Sequence, residues 1–600
     1  MKTITIPERK DVPEEFTWDL TPIFADDDAW KRAFDAAGAY PDKLKAFEGR
    51  LGESAQTLLA FERINDEIGL EMGRIHGYAS LKSDQDTGNS LYQNMRGMAV
   101  GLSVRIGGAG AFARPELLSL PEETLERFMK EEPALEEYRR SLEQLRRRRA
   151  HFLSPEGEEL LAEAGEMAGG ADHIGSTLRN ADLTFPSVTD SEGRSWPLTN
   201  GSFVTLLESS DRELRRRAFD AYYGRMGELK NTIAATLDAQ MKQLRFFAKA
   251  RKYGSTLEAA LDRTEVPEAV YGSLIDAVHA NLDKMYRYVA LRKRCLGVEE
   301  LQMYDVYVPL VPEAGTEISF EQAKAAVLEA LAVLGEDYLA ILRKGFSERW
   351  IDVYENRGKR GGAYSSGGAR PHPYVLLNHK DNLDSQFTLA HEMGHALHSW
   401  YSVQHQPVST SRYVIFVAEV ASTCNEVLLM RHLLAKTSER GERAALINYF
   451  LDKFKGTLYR QTMFAEFERE MGRLSEAGQT LTADLLSEKF RALNALYFGP
   501  EMVSDGRIAL EWTRIPHFFY NYYVFQYATG FSAAVALANR ILKEGDPAVR
   551  DYKRFLSAGS SQDPISLLKI AGVDMSTPGP VASALALFDE LIGEMEALQP

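Results

Sequence analysis

The sequence predicts a mainly helical protein with one small sheet, and two observations carry that reading. Apolar residues recur at three- and four-residue intervals over 135–148, 214–249, 320–342 and 481–496, the period of helices with one buried face. Non-helical signals are confined to two regions, 183–200 and 358–382, and there are no internal repeats or low-complexity tracts. Along the chain, Ser154-Pro155-Glu156-Gly157 has turn chemistry, with Ser154 placed to cap the next helix. Leu183-Thr184-Phe185 and Ser195-Trp196-Pro197-Leu198 flank Asp190-Ser191-Glu192-Gly193, the pattern of a short hairpin. A boundary near residue 200 divides the chain into an N-terminal helical domain, 1–200, and a second domain, 201–600. In the other non-helical region a glycine-rich loop (Gly361, Gly362, Gly367, Gly368) precedes Pro371, Pro373 and a candidate strand, Tyr374-Val375-Leu376-Leu377-Asn378. The loop lacks the Gly-Lys-Ser/Thr ending of a phosphate cradle. Two readings stay open for it: a connector, or a flexible flap and edge strand beside a cleft, able to pair with an extended peptide.

Composition sets limits. Six hundred residues, 44% of them hydrophobic, exceed one core and bury a substantial interior. A net charge of −16 and a pI of 5.4 argue against nucleic acid, which requires a basic face. The arginine runs 146–149 and 215–217 have Glu143 and Glu213 nearby and read as solvated helix faces. Cys295 and Cys424 form no disulfide framework and suit a reducing compartment. Residues 1–20 are charged throughout, and no apolar run approaches the roughly 18 residues of a membrane span. The expectation is a cytoplasmic protein with neither nucleic acid nor membrane as partner.

Seven of the twelve histidines fall between 372 and 432, where an even scatter would place about one. Among them stands His391-Glu392-Met393-Gly394-His395, on a helix expected to start at Asp384 as N-cap and to run through Trp400. A spacing of four brings both imidazoles to one helix face, where they can grip one Zn²⁺, and puts Glu392 about 100° round, able to reach a water without ligating the ion. By composition alone the motif arises in roughly one such chain in fifty, so context decides. A catalytic zinc takes three protein ligands and keeps one position for water. A third histidine soon after the motif would require Gly at 398 and His at 401, and the chain has His398 and Tyr401. Glu419, after the apolar run Val414-Ile415-Phe416-Val417-Ala418, is the candidate third ligand, since an unpaired carboxylate is costly to bury there; an interhelical ion pair is the alternative. Glu426 shares its face and is assigned to the free nitrogen of a ligating histidine. Cys424 points to another face and reads as a small buried residue, and His398 is divided between packing and support of the site. Further on, if Pro516 opens a helix, His517, Tyr520, Val524 and Tyr527 form one stripe, which is either core or a set of donors for a developing oxyanion.

On these residues the chain resembles the thimet-oligopeptidase-like zinc peptidases that include oligoendopeptidase F. His391-Glu392-x-Gly394-His395-x-x-His398 is similar to the family's extended zinc motif, and Glu419-x-x-Ser422-x-x-x-Glu426 to its third-ligand motif. The stretch 358–364 and the His517 segment are similar too, and the resemblance covers roughly residues 200–585. It implies a bowl-like helical zincin with a deep channel, one zinc per chain, a cytoplasmic location and endopeptidase action on short peptides. With Glu392 as base and His517, Tyr520 or Tyr527 as oxyanion donor, internal peptide bonds would be hydrolysed. An exopeptidase, which needs a fixed charge to hold a peptide terminus, and a non-catalytic peptide-binding protein are the rival readings.

Overall fold

Helices carry the chain in the computed structural model, which describes residues 6–311, 317–367 and 371–598. The periodic stretch 214–249 forms one helix, Arg212–Ala250, capped by Asp211, whose carboxylate accepts from the N–H groups of Glu213 and Leu214. The stretch 481–496 becomes Ala483–Phe498, capped by Thr482. The other two are broken. Residues 320–342 split into Phe320–Ala330 and Glu336–Ser347, because Gly335 between them takes φ 90°. Residues 135–148 begin as a 3-10 turn, Pro133–Tyr138, before Arg139–Arg147. Ser154 caps Pro155–Ala168, and the hairpin forms from Val188–Thr189 antiparallel to Ser195–Trp196.

Two compact units emerge, each from three separate stretches. One comprises Met1–Arg149, Thr316–His432 and Leu537–Gly572; the other comprises Ala150–Gly315, Leu433–Ala536 and Val573–Pro600. The contiguous division at residue 200 does not follow them, because turn residues mark where a chain bends, not which helices share a core. In the second unit the Arg215 guanidinium is buried and donates to Asp305 at 2.8 Å, which corrects the reading of 215–217 as a solvated run. Its neighbour Arg216 does lie outward, paired with Glu213.

The first unit holds the sheet. Its order is Ile351–Asp352, Tyr374–Leu376, Tyr364–Ser366, the first pair parallel and the second antiparallel. Tyr374–Leu376 is therefore the central strand and not the expected edge: its three side chains are fully buried, Tyr374 and Leu376 join the N-terminal core, and a strand apolar on both faces belongs in the middle. The outer edge beside it is Tyr364–Ser366, half-buried. The glycine-rich stretch is pinned at its start. Gly358, at φ 79°, accepts from the Thr87 N–H at 2.7 Å, and the Lys359 ammonium is buried 2.7 Å from Asp352. Gly367 closes against Ser399, while Gly368 lies outside the described residues.

Two helices of this unit frame the histidine motif. The motif helix, Leu383–His405, is capped by Asn382, two residues before the expected Asp384; Asn382 has the extended backbone a cap needs, and its side chain accepts from the Ser385 N–H. The glutamate helix is Ile415–Lys436. They cross at Gly394, where an added Cβ would stand 2.5 Å from Ser422 Cα and 2.8 Å from the Ala421 carbonyl oxygen, both backbone. Asn425, fully buried, ties the crossing by donating to the Ala390 carbonyl at 3.2 Å and accepting from the Tyr338 hydroxyl. Cys424 is a buried free thiol, as expected.

Gly394→Ala is expected to lower the unfolding free energy by about 1–3 kcal/mol, the cost of overpacking against atoms that cannot rotate away. Urea denaturation measures it, and unchanged stability would mean that the helices do not cross this closely.

Candidate metal centre

Spacing along one helix and the close crossing of a second bring the candidate ligands together. His391 Nε2 and His395 Nε2 stand 3.2 Å apart, and Glu419 Oε2 lies 3.3 Å from the first and 3.6 Å from the second. Ligand atoms bonded to zinc at about 2.0–2.1 Å in a tetrahedron stand about 3.3–3.4 Å from one another. The triangle thus fits a single ion, and among the described residues it is the one group of three such side chains close enough to hold a metal. Glu426 Oε1 is 2.6 Å from His391 Nδ1. That bond keeps the proton on Nδ1 and turns the Nε2 lone pair to the triangle. The His395 ring also hydrogen-bonds the main chain at Ala418, which orients it in the same way. Ser422, one turn beyond Glu419, donates to the Glu419 carbonyl at 3.0 Å and lies 3.4 Å from its Oε2.

The electrostatics call for a cation. Burial alone would strip the proton from His391, but bonds to Glu419 and Glu426 outweigh it and hold the imidazole up to about 10. Burial, and then the charge of His391, push His395 down to about 4, so the proton concentrates on His391. Glu392 is buried, and its Oε2 has no hydrogen-bond partner; burial, with Glu419 and Glu426 nearby, pushes its carboxyl up to about 7 against the pull of His391. Three carboxyl groups around two imidazoles in a desolvated site carry excess negative charge, which a divalent cation relieves better than one shared proton.

The remaining candidates sort by their surroundings. His398 is fully buried, stacked on Tyr413 at 3.8 Å, and pushed down to about 3 by burial and by His395, so it is a packing residue. His517, Tyr520 and Tyr527 gather in the second unit, but not on one helix. Pro516–Phe519 is a 3-10 turn, Asn521 and Tyr522 take φ 60° and 62°, and a new helix, Phe525–Glu544, follows. The expected stripe is corrected accordingly, and Val524 is buried in the core. Because of the break, ring centroids of His517 lie 5.4 Å from Tyr520 and 5.9 Å from Tyr527, and Tyr523 joins 5.3 Å from Tyr527. Tyr520 is 48% exposed, so its hydroxyl is free to meet a ligand. The sequence reading missed Tyr523, since a continuous helix would have turned it away. It also missed Glu468, a fully buried carboxyl that accepts from the Tyr522 N–H at 3.0 Å. Its place four residues after Phe464 and four before Gly472, on an apolar face, was a signal available in the sequence.

Comparison with known proteins shows the family of the chain. The family described as Peptidase family M3 matches residues 205–587, and that described as Oligopeptidase F matches residues 116–185. Oligopeptidase PepF of Bacillus subtilis (strain 168) is 46% identical over 597 residues, covering 100% of this chain and 89% of that protein. Group B oligopeptidase PepB of Streptococcus agalactiae is 40% identical over 98% of both chains. The crystal structure of oligoendopeptidase-F from Enterococcus faecium superposes with a TM-score of 0.75 at 38% identity, over 95% of this chain and 99% of the other. The chain belongs to peptidase family M3 and is a metalloendopeptidase.

Proposed function

We propose that the chain is a zinc-dependent endopeptidase of short peptides, in which His391, His395 and Glu419 hold one zinc ion and Glu392 is the general base. The observation that carries this reading is the triangle of donor atoms, 3.2–3.6 Å on a side, beside a buried carboxyl with one oxygen unpartnered. The printed names of the relatives, oligopeptidase and oligoendopeptidase, support short peptides as substrates.

Zinc held there would supply a Lewis-acid charge that lowers the pKa of water toward neutrality and polarises the scissile carbonyl. Glu392 takes the attacking water's proton on Oε2 and returns it to the amine nitrogen as the C–N bond breaks. Glu426 holds the His391 proton on Nδ1 throughout. His517, Tyr520 and Tyr527 donate N–H or O–H to the oxyanion that forms from the carbonyl; their support is the ring cluster and the exposure of Tyr520. The peptide lies extended along the outer edge of Tyr364–Ser366, where main-chain bonds tolerate many side chains. No helix among the described residues is long and apolar enough to cross a membrane; a cytoplasmic location, suggested by two free cysteines, is part of the proposal.

Protein isolated without added metal is expected to contain one zinc per chain by elemental analysis and to lose activity to a chelator; near-zero zinc with chelator-indifferent activity would remove the reading. Glu392→Gln should keep its zinc and lose about 10²–10⁴-fold in kcat, because an amide still bonds water but cannot take its proton. Glu419→Ala should lose zinc as well, and full occupancy in that variant would transfer the third ligand to Glu426. On one peptide lengthened stepwise, with both ends blocked, cleavage should be internal and fall steeply with length. Rapid digestion of an unfolded protein, or failure on blocked ends, would point to a general protease or to an exopeptidase respectively.

A further inference from the structure

The turn between Phe519 and Phe525 is held in a conformation its residues resist. Asn521 and Tyr522 both take left-handed φ, a region that an aromatic residue adopts only where its surroundings impose it. Four residues of the second unit surround the turn. Glu468, on the helix Arg460–Glu476, accepts from the N–H of Tyr522 at 3.0 Å and also from that of Val524. Gln240, on Arg212–Ala250, donates to Asn521 Oδ1 at 2.8 Å and to the Phe519 carbonyl at 3.2 Å. The Tyr522 hydroxyl bonds Thr256 Oγ1 at 2.7 Å and lies directly over Gly472, one helical turn beyond Glu468, where a Cβ would collide with it.

Glu468 is the unusual member. Its carboxyl is fully buried, and among the described residues Oε2 has no hydrogen-bond partner and no cation is paired with the group. Burial pushes it up to about 8 against the pull of the two N–H groups, so near neutrality it serves mainly as an uncharged acceptor. Without it two main-chain donors would be orphaned in the core. A helix running on from Pro516 would satisfy those donors itself, yet would line up His517, Tyr520, Val524 and Tyr527 along one face. The reversed turn instead buries Val524 and assembles His517, Tyr520, Tyr523 and Tyr527 as one ring cluster.

We propose that Glu468 is a positioning residue for peptide hydrolysis: by holding the main chain of Tyr522 and Val524 it sets the turn that gathers the proposed donors His517, Tyr520 and Tyr527 into one cluster with Tyr523. The proposal rests on the reading of that cluster as oxyanion donors. Glu468 itself touches no substrate, and its effect passes through the turn.

The test uses the full-length, zinc-loaded enzyme on one blocked peptide. Glu468→Leu should lower kcat at least about tenfold while KM moves less than about threefold and zinc stoichiometry stays at one, the signature of a lost transition-state contact. Glu468→Gln, an uncharged acceptor of the same shape, should keep kcat within about threefold of the parent, since the amide oxygen still takes the two N–H groups. Adding Tyr520→Phe to Glu468→Leu should cost little more than Glu468→Leu alone, because both remove the same contact. Parent-like kcat in folded Glu468→Leu, or full multiplication of the two effects, would overturn the proposal. Should Glu468→Leu not fold, Gly472→Ala displaces Tyr522 at its hydroxyl end with Glu468 intact, and must show the same loss of kcat at constant KM; parent-like kcat there overturns it equally. The cluster reading beneath it fails on a different result, parent-like kcat in Tyr520→Phe, Tyr523→Phe and Tyr527→Phe alike.

Discussion

The crossing of two helices at Gly394 is the constraint on which the metal centre depends. Only a residue without a side chain lets the backbone at Ala421 and Ser422 come so near the motif helix. That approach brings Glu419 to both imidazoles and Glu426 to the far nitrogen of His391 in a single stroke, since the two glutamates lie two turns apart on one face. Asn425, next to Glu426 and about 100° round the helix, bonds into the motif helix at Ala390 and ties the crossing. One glycine thus lets a pair of histidines gather Glu419 into a group of three that could hold a metal, with Glu426 against its outer nitrogen.

The charge distribution follows from that geometry. Burial at the crossing drives each carboxyl toward its neutral form unless a positive charge lies close. His391 takes that role between Glu419 and Glu426, while Glu392, on the same helix but a step round, is left with a bare oxygen and a raised proton affinity. A carboxyl with that affinity and an open oxygen suits the general-base role proposed for Glu392, which asks it to accept a proton from water and give it up to an amine.

In the second unit the organising feature is strain rather than charge. Two left-handed residues interrupt what the sequence pattern would make a helix, and a buried carboxyl, an amide and a glycine hold them there. Each of these contacts joins residues far apart in the chain: Gln240 and Glu468 come to the turn from separate helices. The sheet of the first unit is similar in kind, since Ile351–Asp352 and Tyr364–Ser366 flank Tyr374–Leu376 with pairings that strand composition alone does not order.

What the sequence determined by itself is what local geometry encodes. A spacing of four on a helix puts His391 and His395 on one face and Glu392 beside them, and a spacing of seven aligns Glu419 with Glu426, so the grouping of these five side chains was legible in the sequence. Helical character and the capping role of Ser154 were legible for the same reason, being set within one or two turns of chain. Tertiary structure alone decided the rest. Which strand lies in the middle depends on partners at 351 and 364, whether 320–342 is one helix or two depends on the path the chain must take at Gly335, and the solvated appearance of Arg215 yields to an aspartate 90 positions away. The tyrosine cluster is the clearest case: periodicity from Pro516 predicts a helix, and the helix fails because Glu468, 54 positions earlier, captures the N–H groups that would have continued it.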